Sequence, residues 1–179
     1  MKSKILATAA AICLTAWSMA SCAQQHTVGE TIDDSTITAS VKAALVDTDS
    51  VHARNINVET YKGTVALIGY VRSKEQHATA MKVAKGVSGV DDVADALLIV
   101  PEKRSLGTTI DDETIEGKVK LKMADIGAEN IFGTVTEVRN GEVLLGGFVK
   151  SSAVRDEITK AVKSIDGVTK VHNRLHVKD

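Results

Sequence analysis

The chain has 179 residues, with 22 Lys+Arg against 23 Asp+Glu and a formal net charge of −1. That balance excludes a general nucleic-acid binder, which needs a basic surplus against the phosphate backbone. Beyond Trp17 the aromatics are Tyr61, Tyr70, Phe132 and Phe148, too few for a base-stacking platform.

Lys2 and Lys4 precede an apolar run from Ile5 to Trp17 and the small-residue stretch Ser18-Met19-Ala20-Ser21, an order that describes a bacterial export signal over residues 1–21. The run is about 13 residues, short of the roughly 20 that cross a bilayer core, so no membrane-spanning helix is expected after processing. Met19-Ala20-Ser21-Cys22 resembles the lipobox of bacterial lipoproteins, although Met stands where Leu is usual. The resemblance implies that the Cys22 thiol receives a lipid and becomes the new N-terminus. Ala23 rather than Asp after the cysteine then implies retention on the periplasmic side of the outer membrane. The alternative is ordinary cleavage after Ala20, which leaves a soluble periplasmic protein with an unpaired thiol, because Cys13 leaves with the signal. Without residues 1–21 the chain keeps 20 Lys+Arg against 23 Asp+Glu, and residues 22–30 read as a polar tether.

A repeat organises the remainder. Thr31-Ile32-Asp33-Asp34 recurs as Thr109-Ile110-Asp111-Asp112, and the same offset holds without a gap to the end. It maps Gly63, Val65, Leu67, Gly69 and Val71 onto Gly141, Val143, Leu145, Gly147 and Val149, and Gly89 onto Gly167. Two copies, 31–100 and 109–179, are joined by a linker at 101–108 that holds the single Pro, Pro101. Each copy is long enough for one small core.

Within the first copy, Asp33 or Asp34 is positioned to cap a helix carrying Ile37, Val41, Ala44 and Leu45 at helical spacing. Ile56 and Val58 alternate with polar residues as a strand, Lys62-Gly63 turns the chain, and Val65, Leu67 and Val71 share one face of the next strand. In the second copy the turn is Asn140-Gly141, a strong hairpin signal. Ser73 and Gln76 form a capping-box pattern before a second helix, which Gly86 and Gly89 are expected to close. A third strand alternates through Val93, Asp95, Leu97 and Ile99. The order is αββαβ, twice. Where the first copy has Ile56 and Val58 the second has Thr134 and Thr136, so either a bulge shifts the register or the second sheet is less well packed there.

The paired aspartates, the hairpins Gly63-Thr64-Val65-Ala66-Leu67-Ile68-Gly69-Tyr70-Val71 and Gly141-Glu142-Val143-Leu144-Leu145-Gly146-Gly147-Phe148-Val149, and the closing Gly-Val-x-x-Val-x-x-x-Leu strands resemble the BON domain (bacterial OsmY and nodulation). The resemblance implies an α+β fold of two tandem αββαβ domains, each a small three-stranded sheet packed against two helices. It implies association with phospholipid membrane and support of envelope integrity under osmotic or other stress, without chemistry of its own. Gly63, Gly69, Gly89, Gly141, Gly147 and Gly167 are then structural turn residues, and no catalytic residue carries over.

The residues themselves agree with a non-enzyme. No Gly-x-Ser-x-Gly elbow occurs. His172 and His176, four apart on a strand, lie about 13 Å from one another, too far to share a metal ion, and no cofactor or metal is expected. Lys85-Gly86-Val87-Ser88-Gly89 holds a Gly-x-x-Gly, but it joins a helix to a strand, unlike the nucleic-acid clamp of KH modules, and Ser164 replaces the first glycine in the second copy. The more telling feature is basic. Lys118, Lys120 and Lys122 fall on the second copy's first helix, and Arg155, Lys160 and Lys163 on its second, near Lys150. Such a face would attract an anionic phospholipid membrane, each basic side chain contributing about 1 kcal/mol; otherwise it is a solvated face balanced by Glu116, Asp156 and Glu157. Binding of envelope proteins, in a periplasmic interaction or chaperone-like role through a sheet edge or helix face, is the alternative function.

Acylation of Cys22 is directly testable. Cys22→Ser should lose both the lipid and cleavage before residue 22; a variant that is processed and fractionates with membranes as the natural protein does would count against acylation.

Overall fold

The computed structural model describes residues 28–100 and 110–178. The signal, Cys22, most of the tether and the 101–108 linker lie outside them. The element order is α1 (Val28–Val46), β1 (Ile56–Tyr61), β2 (Thr64–Val71), α2 (Lys74–Lys85), β3 (Asp92–Ile99), then α3 (Ile110–Ile126), β4 (Ile131–Arg139), β5 (Glu142–Val149), α4 (Ser152–Lys163) and β6 (Lys170–Val177). Each domain is a three-stranded sheet, β1-β2-β3 or β4-β5-β6. The first pair is antiparallel through a tight hairpin, and the second pair is parallel, so a helix must carry the chain back across the sheet. On one face of the first sheet Ile37, Val41 and Leu45 of α1 and Ala80 and Ala84 of α2 enclose Val58, Val65, Leu67 and Leu97. On the second, Ile115, Val119 and Met123 of α3 and Ile158 and Val162 of α4 enclose Val143, Leu145, Val149 and Leu175.

Neither Asp33 nor Asp34 caps the first helix. α1 already begins at Val28, inside the stretch assigned to the tether, and the Asp34 carboxylate is engaged elsewhere. Its Oδ2 accepts from the Lys62 amide at 2.8 Å and its Oδ1 from the Gly63 amide at 2.9 Å. Asp112, only 4% exposed, repeats this with Asn140 at 2.8 Å and Gly141 at 2.9 Å. Both central residues of each hairpin have positive φ, 49° and 73° in the first and 52° and 74° in the second. That is the turn whose twist suits a two-residue hairpin, and it leaves two amides outside the strand ladder for the aspartate to bind with charge-assisted bonds. The paired-aspartate motif thus braces the first helix to the hairpin.

Other local signals resolve similarly. Ser73 Oγ accepts from the Gln76 amide at 3.2 Å, while the Gln76 side chain accepts from Arg72 N, one residue earlier than a capping box would place it. Gly86 ends α2 at φ −82°, an ordinary helical value, which is why Ser164 can stand at the equivalent place. The left-handed turn residue is Gly89, φ 87°, matched by Gly167 at 93°. At Gly69 (φ 142°) and Gly147 (φ 115°) a Cβ would collide with the carbonyl oxygens of Asn55 and Gly133. Gly69 and Gly147 are thus not turn residues: they lie within β2 and β5, where the neighbouring chain passes too closely for a side chain.

Both expectations for the second sheet hold together. A bulge falls between Phe132 and Val135, with Gly133 at φ 47°, and lengthens β4 to nine residues against six in β1. Beyond it the register returns, Thr136 opposite Leu145 as Val58 is opposite Leu67. Thr136 therefore faces the core, half-buried, and its hydroxyl donates to Met123 Sδ at 3.6 Å.

Every residue of β2 is buried, on both faces. Ala66, Ile68 and Tyr70 of β2 and Ala94 and Ala96 of β3 form a third apolar cluster with Leu144 and Phe148 of β5. The two sheets pack face to face through the surfaces that their own helices leave bare, giving four layers: helices, sheet, sheet, helices.

Leu67 and Leu145 are 0% exposed at equivalent mid-strand positions. Leu67→Ala and Leu145→Ala should each cost about 2 to 5 kcal/mol in denaturant melts. A loss below about 1 kcal/mol would contradict the register.

Candidate functional site

Because the sheets face inward, α3 and α4 form an outward layer remote from the first domain. Ile115, Val119 and Met123 spend one side of α3 on the core, and Lys118, Lys120 and Lys122 are left exposed. Leu121 is also exposed, at 69%, next to Lys120 and Lys122 in sequence and one turn from Lys118. Lys160 and Lys163 on α4 and the preceding Lys150 are exposed, and Arg155 is partly so. α3 packs beside α4, so the structure gathers six of these basic residues on one layer. Two are paired locally: Lys120 Nζ is 2.6 Å from Glu116 Oε1 and Arg155 Nε 3.7 Å from Asp156 Oδ1. Leu121 escaped the sequence analysis, although an apolar residue off the helix's buried stripe is a legible signal.

The seam between the sheets carries the remaining unusual chemistry. The Arg139 guanidinium lies 4.0 Å from the Tyr70 ring centroid, a cation–π contact. Tyr61 stacks on Phe132 with centroids 4.6 Å apart. Asn57 Nδ2 donates to Glu137 Oε1 at 2.8 Å, and Lys178 Nζ donates to Thr64 Oγ1, so each crossing bond joins one domain to the other. The Tyr70 hydroxyl is buried without a hydrogen-bond partner among the described residues. Burial, with a smaller push from Glu137, raises this phenol to about 12. Burial also raises Glu137 above the usual carboxylate range, against the pull of Arg139.

Three histidines serve contacts of the fold. His77 Nε2 is 2.9 Å from Asp95, His172 Nε2 is 2.9 Å from Glu142, and His176 stands edge-on to Phe148. Among the described residues no His, Cys, Asp and Glu side chains are grouped to hold a metal ion, and no helix is long and apolar enough to cross a membrane. Two open clefts of about 390 Å³ occupy equivalent places beside the hairpins. The Asp34 brace, Lys62 and Gly89 line one, and the Asp112 brace, Lys118 and Gly167 the other. Gly63 and Gly141 also line them, so the six repeat glycines divide between cleft walls and the strand crossings at Gly69 and Gly147.

The sequence matches the BON domain twice, over residues 33–101 and 111–179. The chain belongs to the BON domain family. It is 39% identical over 155 residues to osmotically-inducible protein Y of Escherichia coli (strain K12), covering 84% of this chain and 76% of that one. It is 35% identical over 147 residues to outer membrane lipoprotein DolP of Haemophilus influenzae, covering 82% and 75%. Among solved structures, the C-terminal domain of CdsD, a structural protein of the type III secretion system of Chlamydia trachomatis, shares 15% identity with a TM-score of 0.33, covering 82% of this chain and 67% of that one.

In this BON pair Glu137 offers a measurable handle on the seam. Its native pKa is raised, so the native state holds the proton more tightly than the unfolded chain. Stability from this residue is therefore full below about pH 4.3, the ordinary glutamate value, and is lost as pH rises through the native value. Glu137→Gln keeps an acceptor for Asn57 and removes the titration. Its melting temperature should fall less than that of the natural protein between acid and neutral pH; parallel profiles would show that Glu137 is not desolvated by the seam.

Proposed function

We propose that this BON protein is a non-enzymatic envelope lipoprotein. It is anchored through Cys22 on the periplasmic side of the outer membrane and lays the helical layer of its second domain against anionic phospholipid. The observation that carries this reading is the exposed Leu121 among Lys118, Lys120 and Lys122 on α3. The equivalent positions of the first domain are Ala43, Ser40, Lys42 and Ala44, so neither the apolar tip nor the lysine cluster is a requirement of the fold. A bilayer suits this pattern: lysines reach the headgroups at about 1 kcal/mol each, while the leucine enters the acyl boundary. Neither domain is positive overall, with seven Lys+Arg against nine Asp+Glu in 31–100 and eleven against twelve in 109–179, so the attraction is that of a local face. With lipid on Cys22 supplying the hold, the face sets orientation. The likeness to an osmotically inducible protein and to an outer membrane lipoprotein supports an envelope role under osmotic stress.

Co-sedimentation of the unlipidated protein with liposomes tests this. Binding should require anionic lipid and weaken as salt shortens the screening length to about 8 Å at physiological ionic strength. Replacing Lys118, Lys120 and Lys122 together with Glu should abolish it while leaving the melting transition nearly intact, and Leu121→Ser should weaken it at any salt. Binding that survives these changes and the matching ones at Arg155, Lys160 and Lys163 would favour recognition of another envelope protein.

A further inference from the structure

The seam is arranged about a pseudo-twofold axis. Tyr70 meets Arg139, and the equivalent pair, Phe148 and Tyr61, meets as well, with ring centroids 5.8 Å apart. Reciprocal contacts of this kind define an interface built from the same patch on both sides. On such an axis a residue faces its own equivalent, and here Ile68 faces Gly146, its counterpart in the second copy. A Cβ at Gly146 would lie 2.5 Å from both Cγ1 and Cγ2 of Ile68. Unlike Gly147, Gly146 has no positive φ, so its backbone does not ask for glycine. The three nearest atoms that a Cβ would meet all belong to Ile68 of the other domain.

We infer that Ile68 and Gly146 form a size code that makes this seam heterotypic: the outer face of the first sheet accepts the second sheet of its own chain and neither sheet pairs with its own kind. Two first domains face to face would set Ile68 against Ile68, in space that here admits one side chain. Two second domains would set Gly146 against Gly146 and leave a void on the axis, with the lining atoms lacking contacts. The flanking residues fit the same partner. Small Ala66, Ala94 and Ala96 on the first sheet admit the bulk of Leu144 and Phe148 from the second. The code keeps an apolar sheet face, an invitation to association when uncovered, satisfied within one molecule.

Cysteines at Asn57 and Glu137, whose side chains touch across the seam, report its closure through a short bifunctional maleimide. The reporter is the full chain with Cys13 and Cys22 replaced by serine. It should cross-link within one molecule. Gly146→Val should lower that yield severalfold, and adding Ile68→Ala, a change in the other domain, should restore it. Unchanged yield in Gly146→Val, no recovery in the double variant, or a mainly dimeric product from the parent chain would each overturn the inference. Circular dichroism checks that the domains remain folded. If Gly146→Val unfolds, the milder Gly146→Ala with and without Ile68→Val makes the same comparison with the same expected order.

Discussion

A three-stranded sheet has two faces, and a copy of about 70 residues supplies only the two helices needed to cover one of them. The central strands β2 and β5 are nonetheless apolar on both sides, with Leu67 turned to the helices and Ile68 away from them, both 0% exposed. The bare faces therefore have to be covered, and each domain covers the other. Apolar area removed from water at about 25 cal/mol per Å² drives the contact. Ala66, Ala94 and Ala96 let the sheets approach. Most polar groups caught at the margin are bonded or stacked, Glu137 by Asn57, Thr64 by Lys178 and Arg139 over Tyr70, while the Tyr70 hydroxyl is buried without a partner among the described residues.

Docking sheet to sheet fixes what is left for the surroundings. Both helical layers point outward and away from each other, so a function carried by helix faces can differ between the copies without disturbing the seam. The copies have diverged there. α1 carries Ser40, Lys42, Ala43 and Ala44 where α3 carries Lys118, Lys120, Leu121 and Lys122. The hairpin brace is shared, because Asp34 and Asp112 satisfy the same two turn amides. What the fold needs is repeated, and what one surface does is not.

Much of the fold was legible in the sequence. The constant offset between the copies revealed the duplication, and strand alternation with the hairpin glycines yielded αββαβ. The misreadings share a cause. Asp34 and Asp112 look like helix caps because of their place before an apolar helical stripe, but their partners are the hairpin amides at Lys62-Gly63 and Asn140-Gly141, on the far side of a strand. The face carrying Ala66, Ile68, Ala94 and Ala96 received no role from the sequence, because nothing nearby in the chain covers it. Of the candidate site, the lysines were legible from composition along a helix, whereas the outward setting of their layer depended on which sheet face was already taken.

The contrast is sharpest at two neighbouring glycines. Gly147 is required by its own domain, with a left-handed φ and a strand crossing too close for a Cβ, and it recurs as Gly69. Such demands are local and repeat with the motif, so sequence alone determined them, along with the elements, their order and the two cores. Gly146 has no such signature, and its counterpart is Ile68. Its reason is a side chain in the other domain, brought within contact only when the sheets dock. The tertiary structure alone decided this, because steric exclusion acts through space between groups that the chain keeps a whole domain apart.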